Sequence, residues 1–577
     1  MKPSLGIVVI TVLWIIAILI ISPLGEFPLN DDWTYAKSVQ HLHNTGEMKM
    51  DGWPAMTLVA QIAWGGLFCK IGGYSFLTLR ISTLITGLIG LFAFYKLAYQ
   101  LAKNKELALF ATLLFGFNPF FLSLSFTFMT DVHFFTFSIL ASLFFLKNIQ
   151  TDKWVYFGLG IFCSLIATLI RQPGILFPVA YAICYFYKNR TVKGFMTAGF
   201  PFLCALAALI LHGIWLKSTQ PTAGNVIGIS QGLSLFRRFL EWKYICYIIT
   251  SVFFYTGIFM LPLSILYAQN IKKSIQQYKF KLLFVLVPFG VFFAIGLATG
   301  LYPGGNILYN LGLGPKTLKD AWCGVNISPM LPKATWNALM QVFGCIGAIA
   351  CLMLIFFQPT ANEHQIAKNS FKERLLTYWS NAIKGIKTFF NKTSNNTAHP
   401  TDPEQAFVTQ TRVYFGLVML MYIALLIINL VFFDRHLILL MAFAMLILLP
   451  EKTEYGFWQQ KLSVGTLLFI AWFSVSATHD YLAWNRARWL GLNELTEAQK
   501  ISPARIDGGF EFNAWHQPGH SSYVERPTLN IKSWWWVADD EYLMTFGQVE
   551  GYDPVKANAY FKMLSFSTDT VYVLKRR

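Results

Sequence analysis

Two adjacent carboxylates, Asp31 and Asp32, stand in the segment Pro28-Leu29-Asn30-Asp31-Asp32-Trp33-Thr34-Tyr35-Ala36. A third acid, Asp131, sits in Phe126-Thr127-Phe128-Met129-Thr130-Asp131-Val132-His133 with no basic neighbour in sequence. Arginines stand in Ile170-Arg171-Gln172-Pro173-Gly174 and in Phe433-Asp434-Arg435-His436-Leu437. Acids and cations of this kind, gathered on one face, can bind an anionic group such as phosphate through charge-assisted hydrogen bonds. Each also has a plainer reading. Ala36, Val39 and Leu42 announce a helix that Asn30 or Asp31 can cap, with Asp32 complementing its dipole. An arginine at the tip of an apolar hairpin can simply snorkel to the interface. Scarcity singles out Asp131: between Gly52 and Leu240 the acids are Glu106, Asp131 and Asp152, and the first and last lie beside lysines as ordinary loop charges.

The elements that must position these groups are membrane spans. Of 577 residues, 55% are hydrophobic and 13% charged, which leaves no surface for a soluble chain. Phe occurs 53 times and Trp 18 times, as suits lipid-facing helices with aromatic interfaces. Apolar runs long enough to span occur at about 5–22, 78–101, 106–126, 130–147, 154–170, 174–187, 195–216, 245–268, 281–301, 336–357, 413–433, 437–450 and 463–478. The first follows Lys2 and has no small-residue cleavage site after it, so it reads as a retained span. Lys103, Lys105, Lys147, Lys153, Lys188, Arg190 and Lys193 fall in alternate turns, and the turns opposite hold only Arg171. The positive-inside rule therefore sets the N-terminus inside and the C-terminus outside. Asp31, Asp32, Asp131, Arg171 and Asp434-Arg435-His436 then share the outer side.

The expected architecture is a polytopic α-helical membrane protein of about thirteen spans with a small α+β extracytoplasmic domain at its C-terminal end. The membrane domain covers 1–478, with a first outer loop at 23–77 and a polar, basic cytoplasmic linker at 358–411. The outer domain covers 479–577. It has alternating stretches such as Thr570-Val571-Tyr572-Val573-Leu574 and turn signals at Gly508-Gly509 and Gly551-Tyr552-Asp553-Pro554. Its aromatic segments, Gly508 to His516 and Trp534-Trp535-Trp536, suit either core packing or sugar stacking. The net charge of +17 lies in short loops, as membrane topology and anionic lipid contact require, and no nucleic-acid partner is expected. The eight cysteines have no CxxC spacing, so neither a metal cluster nor a disulfide framework is expected.

In order and side, these residues resemble the polytopic GT-C glycosyltransferases of the protein-mannosyltransferase and aminoarabinose-transferase-like group. The likeness rests on the acidic pair after the first span, Tyr35-Ala36 and Gly46 in the next helix, and Phe76-Leu77-Thr78-Leu79-Arg80. It continues through Asn118-Pro119, Thr130-Asp131, Arg171-Gln172-Pro173 and Asp434-Arg435-His436. It is clearest over 1–190 and 412–450. The resemblance implies an inverting transfer of a monosaccharide from a polyprenyl-phosphate donor to an extracytoplasmic acceptor, which is lipid A, a polysaccharide or a protein. Asp31 would be the general base, with Asp32 and Asp131 orienting the acceptor or holding a divalent cation, Mg or Mn. Arg171, Arg435 and Lys49 would meet the donor phosphate, and Tyr35, Asp434 and His436 would bind substrate. The implied setting is a bacterial inner membrane with a periplasmic C-terminal domain.

One departure stands out. Where aminoarabinose transferases carry an acidic-basic-Pro segment, this chain reads Asp51-Gly52-Trp53-Pro54, which argues against aminoarabinose as donor sugar. The competing functions are a transporter or flippase of a lipid-linked sugar, or a surface-polysaccharide polymerase or ligase. A transporter would place ionisable groups near the bilayer midplane, whereas these span centres are almost free of charge.

Overall fold

The structure is a computed structural model describing residues 3–219, 242–277, 307–312, 333–356, 403–428, 432–449, 455–516, 525–526, 531–532, 537 and 539–577, with a few between 283 and 291. Trp534 to Trp536, most of the expected 281–301 span and most of the 358–411 linker lie outside these residues. From 403 onward the expected linker is already helical.

The chain opens with α1 (Pro3–Ile21), α2 (Asp32–Thr45), α3 (Val59–Gly72), α4 (Phe76–Ala102) and α5 (Lys105–Gly116). Then come α6 (Pro119–Ser125), α7 (Thr130–Thr151), α8 (Trp154–Ile170), α9 (Leu176–Lys188) and α10 (Val192–Thr219). Further along are α11 (Trp242–Leu266), α12 (Ala268–Gln277), α13 (Ile307–Gly312), α14 (Lys333–Phe356) and α15 (Pro403–Ile428). The last helices are α16 (Ile438–Leu448), α17 (Phe457–Asn493) and α18 (Phe510–His516).

Among the described residues six helices are long and apolar enough to cross a membrane, or seven with the bent α5–α6 pair, and three shorter helices are also apolar. Not all of the thirteen expected runs are full-length spans among the described residues, and the 281–301 run lies mostly outside them. The 106–126 run breaks because Asn118 caps a new helix and Pro119 follows at its first position, bending the pair by 64°. The 23–77 loop holds a second helix, α3, that its sequence pattern did not announce. In the other direction, α17 runs unbroken through residue 479 to Asn493.

Local chemistry sets the helix ends. Ser75 accepts from the Thr78 amide at 2.9 Å, and Asn104 accepts from the Glu106 and Leu107 amides. Aromatic packing closes the centre of the bundle: Phe115 lies 4.5 Å from Phe135 and 4.8 Å from Phe121, ring centre to ring centre. On α10, by contrast, Phe195, Met196, Phe200, Leu203, Ile210 and Leu211 are exposed, as a lipid-facing helix requires.

The C-terminal sheet has the order β1 (Ile506–Asp507), β4 (Tyr542–Thr545), β6 (Ser567–Arg576), β5 (Tyr552–Lys562). The β1–β4 pair is parallel and the others antiparallel. A separate two-stranded ribbon joins β2 (Glu525–Arg526) to β3 (Ile531–Lys532). Asp480 fastens the sheet to α17 by accepting from the amides of Met563 and Leu564.

Candidate active site

The first loop is pinned on two sides. Arg80, buried on α4, donates to the carbonyls of Pro23, Gly25 and Phe27, while Glu26 accepts from the first amide of α4, at Phe76, at 2.8 Å. Further along, Thr57 donates to the Thr168 carbonyl at 2.7 Å, the Leu58 amide to Ile170 at 3.2 Å, and Gln172 to Ala55 at 2.7 Å. These bonds set the loop against the end of α8, where Arg171 stands.

Asp31 and Asp32, neighbours in sequence, point to different places. Asp32 is buried and accepts from the amides of Leu29 at 2.6 Å and Phe128 at 3.1 Å. Burial pushes its carboxyl up to about 7, against the pull of Arg80 and of the two amide donors, and Glu511 adds to the rise. Asp32 therefore ties the loop to the turn before α7. Asp31 occupies the N-cap position of α2, yet its side chain makes no capping bond. Its carboxylate turns to Arg435, with Oδ2 3.2 Å from Nη2, and accepts from the Trp53 indole at 3.4 Å. The capping reading of Asp31 does not hold, and the carboxylate is left for other work.

Arg435 and Arg171 bring the second half of the cluster. Arg171 Nη2 lies 2.9 Å from Asp131 Oδ1, and Arg171 Nε donates to Thr130 at 2.6 Å. Arg435 is 3% exposed and lies over the Phe433 ring, and its Nε and Nη1 have no hydrogen-bond partner among the described residues. Tyr35 reports the convergence: its hydroxyl lies within electrostatic reach of Asp31, Arg435, Arg171 and Asp131, and burial pushes its phenol up. That hydroxyl donates to the Met56 sulfur at 3.3 Å.

The expected site residues thus divide. Asp31, Tyr35, Asp131, Arg171 and Arg435 come together, with His436 within reach of both arginines. Asp434 instead accepts from the amides of Ile307 and Leu308 at 3.1 and 3.0 Å, capping α13. Lys49 is exposed beyond α2 and makes no contact with the cluster among the described residues. Asp32 and Asp131 are each engaged with the chain's own groups, and among the described residues no three His, Cys, Asp or Glu side chains group to hold a metal ion. Two participants were not legible in sequence: Trp53, whose indole meets Asp31, and Tyr422 on α15, within reach of Arg171 and Asp131. Trp53 stands in Asp51-Gly52-Trp53-Pro54, a segment notable in sequence only for the charges it lacks, and Tyr422 stands in no polar motif.

Residues 60–215 match the family described as dolichyl-phosphate-mannose-protein mannosyltransferase. Among solved structures, ArnT from Cupriavidus metallidurans bound to undecaprenyl phosphate is 14% identical, with 88% of this chain and 84% of that chain covered at a TM-score of 0.39. The apo form of the same protein gives 14% identity, 87% and 83% coverage and a TM-score of 0.38. Likenesses this distant assign no residue here. No curated protein matches. The matched stretch holds Arg80, Asp131 and Arg171, and through it the resemblance to the protein-mannosyltransferase group of polytopic membrane glycosyltransferases, first carried by scattered short motifs, is borne out.

Proposed function

We propose that the chain transfers a monosaccharide from a polyprenyl-phosphate donor to an acceptor on the extracytoplasmic face, with inversion at the anomeric carbon. The observation that carries this reading is the buried Arg435 guanidinium, with two nitrogens lacking hydrogen-bond partners among the described residues, beside the uncapped Asp31 carboxylate. Buried guanidinium N–H groups are costly to leave unpaired, and an anionic oxygen is their natural complement.

In the reaction, an acceptor hydroxyl oxygen attacks the anomeric carbon as Asp31 takes its proton. The carbon–oxygen bond to the phosphate breaks, and the polyprenyl phosphate leaves with the bonding electrons. Charge grows on the leaving phosphate in the transition state, where Arg435 and Arg171 offset it. A carboxylate suits the base role because the hydroxyl becomes acidic only as it attacks, and placement beside the reacting atoms supplies much of the gain. The acceptor in this reading is an envelope glycolipid, polysaccharide or protein, and the setting is a bacterial inner membrane with the C-terminal domain outside.

The test is a mass-spectrometric comparison of lipid A, envelope polysaccharide and envelope proteins from cells with and without the chain. Loss of one sugar from one acceptor class is expected. An unchanged glycan profile together with accumulation of a lipid-linked sugar on the inner leaflet would favour a flippase instead.

A further inference from the structure

The C-terminal domain meets the first loop at Glu511, a carboxylate itself held by an ion pair. Arg488 Nη1 on α17 lies 3.0 Å from Glu511 Oε2 on α18, and both side chains are fully buried. The second oxygen of Glu511 accepts from the Asn30 amide at 3.2 Å. Asn30 has a left-handed backbone, φ +55°, a conformation that asparagine tolerates better than most residues. It immediately precedes Asp31. The turn that carries the Asp31 carboxylate away from the amides of α2 is therefore held at its strained residue by a carboxylate 481 positions further along the chain.

Surrounding contacts press the same two parts together. Lys37 on α2 donates to the Ala514 carbonyl at 3.0 Å and lies between the rings of Trp33 and Trp515. Phe27 stacks on Trp489 at 6.2 Å, and Trp515 meets Phe76 edge-on at 5.3 Å. Arg486 donates to the Ser22 carbonyl at 3.1 Å. These contacts fix the loop as a whole, and the Glu511–Asn30 bond fixes the one backbone turn beside the acid. A buried ion pair adds little net stability by itself, since desolvation offsets attraction. Its value here is the placement of one acceptor oxygen.

We propose that Glu511 is a positioning residue for Asp31, so that the C-terminal domain is a working part of the active site and not an appendage. The proposal rests on the reading of Asp31 as the general base.

The test uses the full chain in lipid nanodiscs and two double variants that both remove the buried charges. R488M/E511Q keeps an oxygen for the Asn30 amide, and R488M/E511M does not. Transfer is measured into envelope membranes, with the polyprenyl-phosphate sugar pool extracted from the host cells as donor. In R488M/E511M the saturated rate is expected to fall about 10- to 100-fold, because a small displacement of a catalytic group costs that much. The half-saturating donor concentration should stay within about twofold, since donor contacts are untouched. R488M/E511Q should stay close to the native rate. Hydrogen exchange read by mass spectrometry should speed up at residues 29–33 in R488M/E511M, with β4 and β6 unchanged.

Equal rates in the two variants, or equal exchange at 29–33, would overturn the proposal. So would a native chain whose Asn30 amide exchanges as fast as that of exposed Lys49, which requires no variant at all. A D31N chain that still transfers at the native rate would sink the base assignment instead, and the exchange arm would still decide whether Glu511 holds the loop.

Discussion

Arg435 and Asp31, 404 residues apart in sequence, meet with Nη2 3.2 Å from Oδ2. The contact joins the 23–77 loop to the turn between α15 and α16, and two further guanidinium nitrogens of Arg435 have no hydrogen-bond partner among the described residues. Replacing Arg435 with lysine keeps the charge and removes the fork that grips two oxygens at once. In R435K the half-saturating donor concentration should rise by about tenfold, equivalent to about 1.4 kcal/mol of donor binding. Titrating the extracted lipid-linked sugar pool into membranes containing R435K measures it, and an unchanged midpoint would remove Arg435 from the donor site.

Arg171 differs from Arg435 in how deeply its acidic partner is buried. Its partner Asp131 is 3% exposed, so R171A leaves a buried carboxylate without compensation and should cost about 3–5 kcal/mol of stability. Most of that loss should return in R171Q/D131N, which carries no buried charge at the pair, while transfer stays low. Thermal unfolding of the purified variants reads the first effect and a transfer assay the second. If R171Q/D131N transferred at the native rate, the pair would be structural alone.

Asp32 gives the fold a pH dependence of defined sign. Its carboxyl titrates near 7 in the folded chain, against an ordinary value of 3.8. Between those values the folded state holds the proton more tightly than the unfolded state, so the contribution of Asp32 is fully present below the lower value. It is lost as pH rises through about 7. The difference in melting temperature between the native chain and D32N should therefore shift against the native chain as pH is raised from about 4 to 8, which isolates this group from the other titrating residues. A difference that is flat across the range would contradict the burial-driven shift.

Gly174 sits in the short turn that follows Arg171, packed against the backbone of the last turns of α8. A Cβ at this position would fall inside contact distance of the Thr168 amide nitrogen and the Ala167 carbonyl carbon. Backbone atoms cannot swing aside as a flexible side chain can, so G174A should displace the turn and cost about 1–3 kcal/mol. A lower melting temperature together with slower transfer is expected, because Arg171 moves with the turn. A fully native melting curve would show that the turn can yield.

Much of this was legible because membrane chains place charges sparingly. Asp131 and Arg171 stood out as lone ionisable residues at the ends of apolar runs, and the structure pairs them at 2.9 Å. Asp31 and Asp32 were equivalent in sequence, and only the loop geometry separates them: the left-handed turn at Asn30 sends one carboxylate to Arg435 and the other to two amides. Asp434 looked like its neighbour Arg435, but its carboxylate is spent capping a helix more than a hundred residues earlier in the chain. Lys49 carries the charge that a phosphate contact needs, but a charge alone does not say whether a loop folds inward. The role of Glu511 could not be read from its surroundings in sequence, because its partners Arg488 and Asn30 come from two distant segments. Apolar periodicity placed most helix ends within a few residues, but it could not show that Pro119 breaks one run or that α17 continues past its apolar stretch to Asn493.

The central claim is that Asp31 removes the acceptor proton, and its most direct test is the transfer rate of D31N at matched protein level and verified membrane insertion. D31N preserves the size of the side chain and removes its capacity as a base. The account predicts that transfer from the extracted polyprenyl-phosphate sugar pool falls by about 100-fold or more per folded molecule, the scale of general base catalysis. D31N that transfers sugar at the native rate would contradict it.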